Sequence, residues 1–249
     1  YHQLSKSEQG KLKDIGGFVG GSLNGLQRKA INVTGRDLIT LDLDSIMPGE
    51  TDNVVRTVDS LGMAYVIYST RSHTEHRPRL RVVIPTDRTM TPDEYEPIAR
   101  KMAELIGIGM MDSTTFEASR LMYWPGCSSD AQYVFHYADK QFLSANGMLA
   151  QYTDWRDVST WPQVPGSEVS VKVKQLLTKQ QDPLTKHGIV GAFCQTYGIR
   201  EAIDNFIPHA YTYVDGTNDR LTYAEGTTVG GAVIYDDDKF LYSHHNTDP

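Results

Sequence analysis

Three apolar runs with a two-residue alternation dominate the first third of the chain. In LITLDLDSI, Ile39, Leu41 and Leu43 fall on one face, and Thr40, Asp42 and Asp44 fall on the other, as in a strand buried on one side. Ala64–Thr70 (AYVIYST) and Leu80–Pro85 (LRVVIP) predict two further strands joined by the loop RSHTEHRPR. The period then changes. Thr91-Pro92-Asp93-Glu94 is a capping box with proline at the first helical position. Tyr95, Ile98, Met102, Leu105 and Ile106 recur at helical spacing on one face, and Gly107 stops the helix. MMDS and RLMYWPG predict strand or strand-edge material around Asp112 and Arg120. Strands separated by a capped helix give an α/β domain with a sheet flanked by helices.

The remaining segments order the chain into parts. Residues 1–14 are polar and predict a flexible N-terminus, and residues 15–150 form the α/β unit. The glycine-rich stretch GGFVGGSLNGLQRKA lacks the spacing of a phosphate-binding P-loop. Residues 151–167, rich in Trp, Asp and Pro, predict a packed connector. Residues 168–249 predict a small appendage, helical to about residue 207 and then short β-hairpins. The helical part includes VSVKVKQLLTKQ and a two-helix pattern in GIVGAFCQTYGIREAIDNF broken at Gly198, readable as a packing unit or a helix-turn-helix.

Composition narrows the classes. A 249-residue chain with 39% hydrophobic and 22% charged residues can bury a core, which excludes wholesale disorder. Two cysteines, Cys127 and Cys194, build neither a disulfide framework nor a four-cysteine zinc site. No apolar run reaches the ~20 residues of a membrane span, and a cytoplasmic setting is expected. A net charge of −7 argues against a basic nucleic-acid coat. Arg71, Arg77, Arg79, Arg81 and Arg88 nevertheless crowd one short segment, which points to a local anion site such as one for phosphate.

The chemistry concentrates in three places. Asp42 and Asp44, at i and i+2, share a face and would repel unless something positive lies between them. A divalent Mg²⁺ or Mn²⁺ is the usual solution, and solvation at a strand end is the plain alternative. Arg79 and Arg81 repeat the same spacing with positive charge and call for an anion or acidic neighbours, with Ser69, Arg71, Ser72 and His73 in the turn before them as further donors. Asp112 follows the apolar pair Met110-Met111, and Arg120 lies eight residues on. Three carboxylates and a basic strand are the inventory of two-metal nucleotidyl transfer.

With these motifs in view, the chain resembles the archaeo-eukaryotic primase superfamily, in particular the primase-polymerase modules at the N-terminus of phage and mobile-element replication proteins. The resemblance covers about residues 15–140 and rests on LDLDS (Leu41–Ser45), MMD (Met110–Asp112) and SRLMYWPG (Ser119–Gly126). It departs in the middle motif, where a Ser-x-x-Gly-x-His pattern is replaced by YSTRSHTEHRPRLRVVIP, leaving either His73 or Arg79 and Arg81 for the phosphate role.

The resemblance implies an RNA-recognition-like α/β fold, with Asp42, Asp44 and Asp112 coordinating two Mg²⁺ or Mn²⁺ ions. It implies Ser72, His73, Arg79, Arg81 and Arg120 around a nucleoside triphosphate. It further implies a single-stranded DNA template, with Arg28 and Lys29 as candidates for its backbone, and synthesis of short RNA or DNA primers. A helicase-type ATPase is expected beyond SHHNTDP, whose His244, His245 and Asp248 are also metal-ligand candidates.

Three rival readings remain. A haloacid-dehalogenase-type phosphatase also opens on DxD, but it wants Thr or Val where Ile46 stands, and the only acidic run, Asp236-Asp237-Asp238, sits in an apparent turn. A metal-dependent nuclease would share the acidic triad. A non-catalytic origin- or single-strand-binding module would have no use for it.

Overall fold

A computed structural model describes residues 1–166, 182–217, 219–226, 228–235 and 237–243. The chain divides into two compact units, Tyr1–Gln151 and Tyr152–Pro249. No helix among the described residues is long and apolar enough to cross a membrane.

The first unit is built on a five-stranded sheet in the order β2-β3-β5-β4-β7. These strands are β2 (Gly21–Leu23), β3 (Val33–Leu43), β4 (Tyr65–Ser69), β5 (Leu80–Met90) and β7 (Phe135–Ala138), and every pairing among them is antiparallel. A two-stranded ribbon pairs β1 (Gly17–Phe18) with β6 (Met122–Tyr123). Helices α2 (Thr51–Ser60) and α3 (Pro92–Ile106) pack against the large sheet, and α4 (Ala145–Leu149) packs on α3. Ile39, Leu41, Leu43, Leu80, Val82, Ile84 and Ile67 are fully buried on one sheet face, as the alternation of LITLDLD and LRVVIP requires.

β3 and β5 are longer than the apolar runs that mark them. β5 continues through Thr86–Met90, and Arg36, at the start of β3, pairs with Met90. Arg36 is wholly buried. Its guanidinium donates to Ala118 O, Leu38 O and Thr40 Oγ1 and stacks 4.0 Å from the Tyr95 ring centroid. A cation held in this way by two carbonyls, a hydroxyl and a ring, with its Nε buried without a partner, ties the segment after α3 to the middle of β3.

α3 carries the expected capping box: Thr91 Oγ1 accepts from Glu94 N, and the Glu94 carboxylate accepts from Thr91 N. Gly107 ends the helix at φ 124°, where a side chain would be strained. Leu105 lies off the buried stripe at 44% exposure, because as the residue directly before Ile106 it sits about 100° round the helix from it. The N-terminal segment is also more ordered than its polarity suggests. Lys6–Lys13 is a helix, α1, started by a Ser5–Glu8 capping box, so local capping compensates for its lack of apolar contacts. The glycine-rich segment serves close backbone approach. A Cβ on Gly21 would lie 2.0 Å from Gly35 O and one on Gly17 2.4 Å from Met122 O.

The second unit contains helices α5 (Gly188–Thr196) and α6 (Ile199–Phe206), which break at Tyr197–Gly198. They are followed by an antiparallel sheet β11-β10-β9-β8, formed by β8 (Tyr211–Tyr213), β9 (Arg220–Tyr223), β10 (Ala232–Tyr235) and β11 (Phe240–Ser243). Ile203, Leu221, Ala232 and Ile234 form its core. The expected helix over residues 169–180 and the His244, His245 and Asp248 group lie outside the described residues.

Candidate active site

The two i, i+2 pairs singled out in the sequence lie opposite each other. In the register of β3 and β5, Asp42 pairs with Arg81 and Leu43 with Leu80, so Asp44 and Arg79 meet one step further on. Arg81 donates to Asp42 Oδ2 at 3.3 Å, and Arg79 lies 3.7 Å from Asp44 Oδ2. Antiparallel neighbours share a face, so two adjacent negative charges on one strand are answered by two positive charges on the next.

Asp112 reaches this place along the free edge of β3. The turn Ile108–Met110 leads to Met111, which bridges Leu43, and Asp112 N donates to Asp42 O. Asp44 N and Ser45 N donate to Met110 O, while Thr115 Oγ1 accepts from Asp42 N and donates to Thr40 O. Asp112 Oδ1 accepts from Thr114 N and Oγ1, and its Oδ2 accepts from Arg120 at 3.0 Å. Each of the three aspartates therefore has its own arginine.

Asp42 is the most buried of the three, with its side chain 16% exposed. Burial pushes its carboxyl above the ordinary value; Arg81 pulls the other way, and Asp112 and Asp44 add to the rise. Arg81 is fixed from a second side by donating to Tyr123 O, which also accepts from the Tyr68 hydroxyl. Its Nε is buried without a partner. Among the described residues no three His, Cys, Asp or Glu side chains are gathered closely enough to hold a metal ion between them, since the aspartates turn toward their arginines.

A pocket of about 320 Å³ opens on this cluster. Arg28, Asp42, Arg71, Arg79, Arg81 and Arg120 line it, with Tyr123 and Trp124 among the walls. Of the residues expected around a triphosphate, Arg79, Arg81 and Arg120 come together here. Arg28, expected on a template, lines the same pocket and donates to Ser119 O. Lys29 is exposed at the start of a short turn and does not line it.

Ser72 and His73 are not part of the lining either. Ser72 Oγ sits 3.4 Å from the Tyr1 hydroxyl. His73 is 2% exposed, burial lowers its pKa, and its Nδ1 accepts from Arg79 N at 3.0 Å. It braces the turn that presents Arg79 and borders a separate cavity with Gln132–His136. Between the two choices left open by the middle motif, the arginines are the ones beside Asp42.

Arg71 matters more than its place in the turn suggested. It makes no hydrogen bond or ion pair among the described residues, its Nε is buried without a partner, and its guanidinium carbon lies 5.9 Å from the Tyr1 ring centroid. The arginine density of residues 71–81 was the available signal. Nothing in the sequence marked the Tyr123 carbonyl, because a backbone acceptor carries no residue-type signature.

Residues 1–164 match the family model described as the VapE N-terminal domain. Among solved structures, the chain is similar to the AEP domain of the Cyanophage S-2L Primase-Polymerase (PrimPol), at 15% identity over 59% of this chain and 76% of that one, with a TM-score of 0.41. No curated protein matches the chain.

Proposed function

The chain belongs to the VapE N-terminal domain family, and from that premise we propose that its first unit is a template-dependent nucleotidyltransferase, a primase-polymerase that joins nucleoside triphosphates on single-stranded DNA. One observation carries the reading: five arginines and Asp42 line one pocket at the end of β3, and Asp44 and Asp112 are ion-paired to two of those arginines, Arg79 and Arg120.

Carboxylate oxygens as the only ionisable donors suit a hard divalent cation such as Mg²⁺ or Mn²⁺. Asp42, Asp44 and Asp112 would hold it once turned from their arginines. Bound there, the metal would supply a lowered pKa for an attacking hydroxyl and neutralisation of the leaving pyrophosphate. Arg79, Arg81 and Arg120, released from the carboxylates, would take the triphosphate oxygens, with Arg71 already free to do so. The two states have balanced charge. Carboxylates neutralise arginines in one, while cations neutralise carboxylates and arginines neutralise phosphates in the other. Arg81 is the positioning element, since Tyr123 O holds its second arm in place.

The test supplies a mixed pool of labelled ribo- or deoxynucleoside triphosphates, a single-stranded template and Mg²⁺ or Mn²⁺, with products resolved on a denaturing gel. Templated oligomers from the wild type, reduced at least about 100-fold in Asp42→Asn and Asp112→Asn, are expected. Shortening of the template without new product would replace this reading with a nuclease. DNA binding with neither product would leave a non-catalytic binding module.

A further inference from the structure

Through β7 and the three residues before it, the sequence Gln132-Tyr-Val-Phe-His-Tyr137 alternates aromatic and other residues with a two-residue period, and the aromatic set faces solvent. Tyr133, Phe135 and Tyr137 are 48%, 48% and 67% exposed. Tyr133 and Phe135 are stacked, with centroids 6.3 Å apart and planes 8° from parallel, and Phe135 and Tyr137 follow at 6.1 Å and 40°. Three large apolar side chains held in an exposed row are costly in water, and this row buries no core.

The sheet register fixes which way the row faces. Phe135 pairs with Tyr68, Tyr68 with Arg81, and Arg81 with Asp42, so these four residues form one line across β7, β4, β5 and β3 on a single sheet face. Three strand spacings separate the row from Asp42, about 14 Å. Between them on this face lie Tyr68, buried with its hydroxyl on Tyr123 O, and Arg81, which lines the pocket together with Tyr123.

We infer that Tyr133, Phe135 and Tyr137 form a stacking platform for the bases of single-stranded DNA, which passes from the β7 edge toward the Asp42 pocket. Flat rings at regular steps accept any base on its π face, while the arginines at the far end of the same face answer the phosphates. An acidic chain can bind DNA this way because the contacts at the platform are uncharged. The inference rests on the polymerase reading for the direction of the strand, and it gives that reading a template site.

The test is fluorescence anisotropy of a labelled oligo-dT of about 12 nucleotides, at fixed salt and without metal or nucleotide, so that catalysis plays no part. Phe135→Ala should weaken binding about five- to 100-fold, the combined Tyr133→Ala, Phe135→Ala, Tyr137→Ala variant should weaken it further, and Phe135→Trp should restore it. Circular dichroism and light scattering accompany each titration.

Wild-type affinity in the triple variant, or no binding by the wild type, overturns the platform. Conversion of a wild-type dimer to a monomer by the triple variant also overturns it and assigns the row to a second copy of the chain. The two readings fail separately. If ladder variants lose DNA while no protein makes product, the platform stands and the polymerase falls. If Asp42-dependent synthesis proceeds while ladder variants bind normally, the platform alone falls.

Discussion

Arg81 and Arg71 line the same pocket but are held differently, and their substitutions should separate. Arg81 is buried between Asp42 and the Tyr123 carbonyl, so Arg81→Ala leaves a carboxylate with its side chain 16% exposed and no counter-charge. A loss of about 3 kcal/mol in unfolding free energy by denaturant titration is expected, limited by protonation of Asp42. Arg71 has no bonded partner among the described residues. Arg71→Ala should leave stability unchanged and raise KM for the nucleoside triphosphate about tenfold in steady-state kinetics. The ion pairs make a further demand: triphosphate alone should bind weakly, because Arg79, Arg81 and Arg120 already face carboxylates. Asp42→Asn frees Arg81, so binding of a fluorescent triphosphate in excess chelator should tighten about tenfold while synthesis is lost. Equal metal-free affinity in the two proteins would show that the arginines do not exchange between carboxylate and phosphate.

At the scale of elements, α3 offers a pH signature of its own. Arg88 holds Glu94 through both carboxylate oxygens at 2.9 Å, and Glu94 also closes the capping box at Thr91 N. Burial opposes ionisation of Glu94, but the Arg88 bonds and the Thr91 N–H outweigh it, so its pKa lies below the usual glutamate value. A depressed folded-state pKa gives stability that is present above the unfolded value and lost as pH falls through the folded one. Glu94→Gln should therefore cost about 1–2 kcal/mol at pH 7 in thermal or denaturant unfolding, and the difference from wild type should close as pH falls below the usual glutamate value and through the depressed folded one. The helix and its cap were legible in Thr91–Glu94 because both depend on neighbours three residues apart. The apolar strands were legible because their alternation is also local, with a period of two residues. What local pattern could not supply was register: DxD opposite RxR depends on how β3 and β5 align, and Leu105 and the α1 helix show periodicity misjudging one burial and one end. Tyr133, Phe135 and Tyr137 fall in no element predicted from the sequence, and the pairing of Phe135 with Tyr68 is what places them on the Asp42 face.

At the scale of the whole molecule, every residue that lines the arginine pocket and every ring of the β7 row lies within Tyr1–Gln151. The family match runs through residue 164, just past that unit. The first unit has its own buried sheet core, and the second has a separate small one around Ile203 and Leu221. Independent cores in one chain argue for independent folding. A fragment of residues 1–164 should therefore unfold cooperatively, with oligo-dT affinity within about threefold of the full chain, measured by the same anisotropy titration. Its affinity should fall with salt more gently than a basic DNA binder's, because stacking on Tyr133, Phe135 and Tyr137 releases no counterions. With up to five arginines available, the slope of log K against log salt should be no steeper than about −3.5. A steeper slope would move the DNA from the aromatic row to a more extended charged surface. Loss of binding in a folded fragment would place part of the site in residues 165–249.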